Sequence, residues 1–314
     1  MKELRVIFMG TPEFSVPILK ELIDKCNVIA VVTQPDKEIG RHKEILFSPI
    51  KKMAIDNGIK VIQPFKIRNE FDEIIILNPD IIITCAYGQI VPKEILDCPR
   101  LGCINVHASL LPKLRGGAPI HRAILNDFKE TGITIMYMDE YMDTGDMIEK
   151  EKVIITDSMT TGELHDRLSL LGRDLLIKTL PSVIDGTNKR EKQIEKEATF
   201  AKVIKRKDEL LDFNKTSREV YNQVRGLNPF PVAYTTLDGK VVKVYNSYIG
   251  NSDKKGLFGE IINIYKDGLG IKTKDGEIVI TTIKPEGKKV LEVKDFLNGI
   301  DKDKLYNKIL GCDK

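Results

Sequence analysis

Asn105 and His107 stand two residues apart at the end of an apolar run, and Asp143 opens the segment Asp143-Thr144-Gly145-Asp146. An amide, an imidazole and a carboxylate suit acyl transfer. Amide and ring donate hydrogen bonds to a developing oxyanion, and the carboxylate governs a proton. Each residue has a plainer reading when taken singly. Asn105 caps a turn, His107 is a satisfied core histidine, and Asp143 fills an Asx-turn ahead of Gly145. As a set at strand ends they favour a reaction centre.

Around them lie segments suited to holding a substrate. Ser109-Leu110-Leu111-Pro112 puts apolar side chains in a loop directly after His107, which reads as a pocket wall for a flat ligand. Gly116-Gly117, within the same loop, permits close backbone approach. Gly10-Thr11-Pro12 follows the first strand, and Ala86-Tyr87-Gly88-Gln89 follows a later one. The polar stretch 34–43 is longer than a strand-to-helix connection needs, and its Arg41, His42 and Lys43 suit phosphate contacts or a plain solvated insertion. Neither G-x-G-x-x-G nor a Walker A pattern occurs, which argues against dinucleotide or ATP chemistry of the usual kind. His121 and His165 fall on predicted helices and read as structural or surface residues.

The elements that must position these groups alternate. Strands are predicted at 4–9, 28–33, 60–62, 80–85 and 102–106, with helices at 16–24, 49–57, 70–77 and 92–96 between them. Apolar runs of this kind suit strands covered on both faces, hence a doubly wound, mostly parallel α/β sheet. Ligands bind such sheets beyond the carboxyl ends of the strands, where Asn105 and His107 fall. Residues 132–138 alternate onward towards Asp143, and 159–180 reads as a long amphipathic helix. After Gly186 the chain turns Lys- and Glu-rich with little apolar period, a connector pattern. Beyond it, short strands at 232–236, 241–249, 258–264, 269–273 and 278–283, with turns at Asp238-Gly239 and Asp275-Gly276, predict a small antiparallel β-barrel of OB-like type. The expected domains are 1–187, a linker over 188–207, and 208–314.

A chain of 314 residues favours two domains, and its 42% hydrophobic and 30% charged content is that of an ordinary globular protein. Net charge is +3, but residues 206–314 carry 20 Lys+Arg against 16 Asp+Glu. That mild excess permits a polyanion on the C-terminal part. Five scattered cysteines without a C-x-x-C pair fit a reducing compartment, and Cys103-x-x-x-His107 lacks the further ligands of a metal site. No apolar run approaches the roughly 20 residues that span a bilayer, and Met1-Lys2-Glu3 leads into a strand without a signal-peptide pattern. The expectation is a cytoplasmic protein with no metal and no membrane partner.

With these residues in hand, the chain resembles the methionyl-tRNA formyltransferases. Residues Met9-Gly10-Thr11-Pro12-Glu13-Phe14-Ser15-Val16-Pro17 resemble that family's opening motif. Asn105-Val106-His107 with Ser109-Leu110-Leu111-Pro112 is similar to the formyltetrahydrofolate-binding core of several formyltransferases, and Asp143-Thr144-Gly145-Asp146-Met147 to their catalytic aspartate motif. Arg225-Gly226-Leu227-Asn228-Pro229-Phe230-Pro231-Val232-Ala233 matches the family's second-domain motif. The chain departs in the insertion loop, where Glu38 and Glu44 dilute the usual basic run, and at Leu114, where an aromatic residue is common. The resemblance implies 10-formyltetrahydrofolate as co-substrate, methionyl initiator tRNA as acceptor, and a monomer. It implies Asn105, His107 and Asp143 as catalytic, and Ser109, Leu110, Leu111, Pro112, Tyr87, Gly88, Gln89 and Ile90 as folate-binding. Arg41 and Lys43 would grip tRNA together with the barrel. Two rivals remain at this point. One is a formyltransferase for a small amine, and the other a non-catalytic folate- or RNA-binding protein.

Overall fold

The computed structural model describes residues 1–39 and 44–311, so Arg41, His42, Lys43 and Cys312 lie outside the described residues. In chain order the elements of the first half are β1 (Arg5–Gly10), α1 (Val16–Lys25), β2 (Asn27–Val32), a hairpin of β3 (Lys37–Ile39) and β4 (Glu44–Leu46), α2 (Pro49–Asp56) and β5 (Lys60–Ile62). They continue with α3 (Asp72–Ile76), β6 (Ile81–Cys85), α4 (Lys93–Leu96), β7 (Cys103–His107), α5 (Pro119–Leu125), β8 (Glu130–Tyr137), β9 (Met147–Ile154) and α6 (Thr161–Ile184).

The principal sheet has seven strands in the order β5-β2-β1-β6-β7-β8-β9. Its first five strands run parallel, while β8 and β9 add on antiparallel. This is the mostly parallel sheet that the alternating pattern predicts. Every residue of β6 is buried, as a strand covered on both faces requires. On one face Ile7, Met9, Val32, Ile82 and Ile95 close a single apolar cluster. Burying each such side chain contributes about 1.5–3 kcal/mol. The β9 strand differs from the sequence reading, which foresaw no strand there. Its central Glu149–Lys152 stretch is exposed, the polar pattern of a sheet edge, and such a pattern hides a strand from hydrophobic periodicity.

The chain forms two compact units, and they are not simple consecutive halves. One comprises Met1–Pro119, Glu130–Ile154 and His165–Lys202; the other comprises Ile120–Lys129, Ile155–Leu164 and Val203–Lys314. The Lys- and Glu-rich stretch, read from sequence as a linker from 188, therefore belongs to the first unit up to Lys202. It escaped notice because it is held by hydrogen bonds rather than by an apolar stripe.

The second unit adds α7 (Arg206–Glu209), α8 (Ser217–Gly226), β10 (Ala233–Leu237), β11 (Lys240–Gly250), β12 (Ile261–Ile264), β13 (Leu269–Lys272), β14 (Glu277–Pro285), β15 (Leu291–Glu292) and α9 (Val293–Leu297). Its strands form one six-stranded antiparallel sheet in the order β10-β11-β14-β13-β12, with β15 paired to β14. Val220, Val224 and Leu227 of α8 and its C-cap pack into the same buried cluster as Val244, Ile271 and Ile280 of the sheet. A capping box starts that helix: Thr216 Oγ1 accepts from Glu219 N, and Thr216 N donates to Glu219 Oε2.

Candidate active site

Asn105 and His107 are residues i and i+2 of β7, so the pleat turns both side chains to one face. Thr84 sits opposite Asn105 in the parallel ladder and donates its hydroxyl to Asn105 Oδ1 at 2.9 Å. That bond orients the amide and leaves its two N–H donors for a ligand.

His107 is buried, and its Nε2 lies 3.1 Å from the Leu114 carbonyl. A carbonyl only accepts, so Nε2 carries a hydrogen and the ring is locked in place. Nδ1 then faces Asp143 Oδ1 at 3.5 Å, longer than the roughly 2.7–3.2 Å of a direct N–H···O bond. The sequence reading treated the whole ring as a donor to an oxyanion. Only Nδ1 is left open for a further contact, because the Leu114 carbonyl already takes the other nitrogen.

Asp143 is held from several sides. Its backbone is left-handed at φ 57°, and its Oδ2 accepts from Gly116 N at 2.7 Å. Gly116 has φ 116°, and a Cβ there would stand 2.9 Å from the Ala201 carbonyl oxygen. At Gly145 a Cβ would fall 2.0 Å from the Tyr137 carbonyl oxygen, so no side chain fits. Glycine is required at both places, by conformation at one and by contact at the other.

The stretch up to Lys202 runs along these loops. Glu191 and Met147 exchange both backbone hydrogen bonds, each 2.8 Å. Gln193 Nε2 donates to the carbonyls of Asp143 and Gly145, at 2.8 and 2.9 Å. Arg115, buried to 2% exposure, donates through Nε to Gln193 Oε1 and through Nη1 to Glu195. Thr199 Oγ1 accepts from Leu114 N, and the Arg115 carbonyl accepts from Ala201 N. Sequence reasoning missed Thr84, Gln193 and Thr199. All three act through polar bonds to partners distant in the chain, which leave no periodic trace.

The residues read as folate-binding divide into two groups. Ser109 is buried, and its hydroxyl donates to the Lys113 carbonyl within its own loop. Thr134 of β8 donates to the Ser109 carbonyl at 2.7 Å and accepts from Leu111 N at 3.1 Å. This draws Leu111 into a small core with Met136 and Met147. Tyr87 likewise lies in the core beside Ile82 and Val91, where burial, aided by the charge of Glu70, pushes its phenol above the usual range. Leu110 and Pro112 are half-buried, and Gly88 is left-handed at φ 92°. Gln89 Oε1 accepts from Ile67 N, and with the exposed Ile90 it borders a cleft shared with Lys66 and Arg68. A separate cavity, lined by Leu4, Asp80, Arg100 and Ile184, includes none of the trio.

Among the described residues no His, Cys, Asp and Glu group has a metal-holding arrangement. Cys26, Cys85, Cys98 and Cys103 are free thiols, and burial pushes that of Cys85 up to about 12, away from nucleophilic use. His121 Nε2 contacts the Phe230 carbonyl, and His165 stacks edge-on against Phe14. No helix of the described residues is long and apolar enough to cross a membrane.

Residues 4–180 match the family model described as formyl transferase, and 203–301 match that of the formyl transferase C-terminal domain. A protein of Macrococcus caseolyticus named methionyl-tRNA formyltransferase is 50% identical over 297 residues, 94% of this chain and 95% of its own length. One of the same name from Bacillus subtilis is 50% identical over 299 residues, 94% of each chain. Among solved structures, the sugar 3N-formyl transferase WlaRD, crystallised in the presence of dTDP and 5-N-formyl-THF, aligns with a TM-score of 0.65. It is 22% identical, covering 92% of this chain and all of its own, a likeness of fold.

Proposed function

The chain belongs to the formyl transferase family, and from that premise we propose that it moves the formyl group of 10-formyltetrahydrofolate onto the α-amine of methionine esterified to initiator tRNA. Formyl transfer follows from the family itself. The methionyl-tRNA acceptor is supported by relatives of that name at 50% identity over 94% of the chain. The observation that carries the chemistry is the meeting of Asp143 with His107, on the sheet face that also carries Asn105.

The folate supplies the formyl carbon, and the amine is the nucleophile. With a free α-amine pKa of about 7.7–8.0, part of it is unprotonated at neutral pH. As the new C–N bond forms, charge gathers on the formyl oxygen. Asn105 Nδ2, oriented by Thr84, donates to that oxygen from a position fixed before the reaction. His107 Nδ1, when protonated, is the second donor, its ring fixed by the Leu114 carbonyl. Asp143 stands beside that nitrogen, balances its charge, and relays the proton that leaves the attacking amine towards N10, whose bond to the formyl carbon breaks.

The first unit would hold folate against Leu110, Pro112 and the Gly88–Ile90 turn. The second unit, with Arg41 and Lys43 of the insertion, would grip tRNA through its phosphates. The test is formylmethionine production from methionyl-tRNA and 10-formyltetrahydrofolate. Asn105→Ala, His107→Ala and Asp143→Ala should each lower turnover by about 10²–10³ while the melting curve persists. Near-normal rates in all three would remove the trio from the chemistry.

A further inference from the structure

We propose that Gln193 is a positioning residue for the reaction, acting through Asp143; the inference rests on the catalytic reading of Asp143 above. Its Nε2 donates at once to the Asp143 and Gly145 carbonyls, at 2.8 and 2.9 Å. Those two carbonyls flank the turn in which Asp143 adopts its left-handed φ of 57°. A left-handed φ outside glycine costs free energy that surrounding contacts offset. The amide orientation of Gln193 is settled by its partners: Arg115 Nε can only donate to Oε1, and carbonyls can only accept from Nε2.

Gln193 is in turn anchored twice. Arg115 holds Oε1, and its Nη1 grips both carboxylate oxygens of Glu195 at 3.0 and 2.9 Å. Two residues earlier, Glu191 is backbone-paired to Met147, just past the Asp143 turn. The remaining contact on the carboxylate, Gly116 N, belongs to the residue after Arg115. Gln193 thus ties the backbone of Asp143 to the same loop that holds its carboxylate. Losing this tie leaves Asp143 present but displaced, and misplacement of a reacting group by about 1 Å can cost on the order of 10²-fold in rate.

Two variants separate this role from simple anchoring of Arg115. Gln193→Ala removes both functions. Gln193→Glu keeps an acceptor for Arg115 but replaces the donating NH₂ with an oxygen facing two carbonyl oxygens. Turnover of formylmethionyl-tRNA is measured for both variants, alone and on an Asp143→Ala background, with excess enzyme and melting curves. Both should lose about 10- to 100-fold in kcat, with KM for either substrate within about twofold, and neither should lose more once Asp143 is gone. Wild-type kcat in Gln193→Glu, or an equal loss on both backgrounds, overturns the inference while leaving Asp143 catalytic. Normal turnover by Asp143→Ala alone overturns the parent reading, and this one with it.

Discussion

Thr84 illustrates how a single hydroxyl decides what its neighbour offers. By donating to Asn105 Oδ1 it determines which end of the amide is left open, something Asn105 cannot fix alone. Thr84→Val keeps the shape and removes the bond. One net hydrogen bond is worth about 0.5–1.5 kcal/mol, so kcat should fall by about 2- to 12-fold with little change in KM. An unchanged kcat in the formylation assay would mean the amide is oriented by other means. Asn105 and His107 were legible in the sequence because polar residues two apart at the end of a buried strand violate its apolar pattern. Thr84 was not, since a threonine inside Ile81–Cys85 fits a strand as well as valine does. The Leu114 carbonyl that holds the imidazole is backbone, and no residue type announces it.

Most elements built on apolar periodicity were legible, and those held by polar bonds were not. The strands β1, β2, β6 and β7 follow their β-branched runs, whereas β9 is coded by Met147 and Ile148 followed by a Glu- and Lys-rich edge. The α8 helix went unpredicted although Thr216-Ser217-Arg218-Glu219 spells a capping box, the signal that could have found it. The loop after Ser109 depends on Gly116, whose amide reaches Asp143 and where an added Cβ would meet the Ala201 carbonyl oxygen. Gly116→Ala should therefore destabilise the protein by about 1–3 kcal/mol, read as a lower urea midpoint, and reduce turnover as well. A variant as stable and active as the parent would contradict the tight contact. The dipeptide alone could not say which glycine matters, because the requirement at Gly116 comes from Ala201, far along the chain.

Across the whole molecule, fold class and two-part organisation were visible in composition and alternation, but the division of the chain was not. The second unit recruits Ile120–Lys129 and Ile155–Leu164 from between the segments of the first. A charged network secures them. Arg218 bonds Asp127 and Asp157, and Arg225 donates to the Thr156 and Met159 carbonyls. For Asp127 burial works against ionisation, but hydrogen bonds from Lys129, Arg218 and Asn222 outweigh it and bring its pKa to about 2 from 3.8. A depressed carboxylate stabilises the fold above its unfolded pKa, and that contribution fades as pH falls through the folded value. The stability gap between wild type and Asp127→Asn should thus be constant above about pH 5 and shrink from pH 4 towards 2. Denaturant titrations at several pH values check this, and a gap independent of pH would exclude Asp127 from acid sensitivity.

The polar stretch ending at Lys202 carries a practical warning for dissecting this enzyme. The amide that supports Asp143 comes from 50 positions further along the chain. A fragment cut where the charged run begins would retain Asn105, His107 and Asp143 and a complete seven-stranded scaffold. It would nonetheless have lost the brace behind its acid. Inactivity in such a piece would not by itself establish a need for the C-terminal half, since the brace behind Asp143 is gone as well.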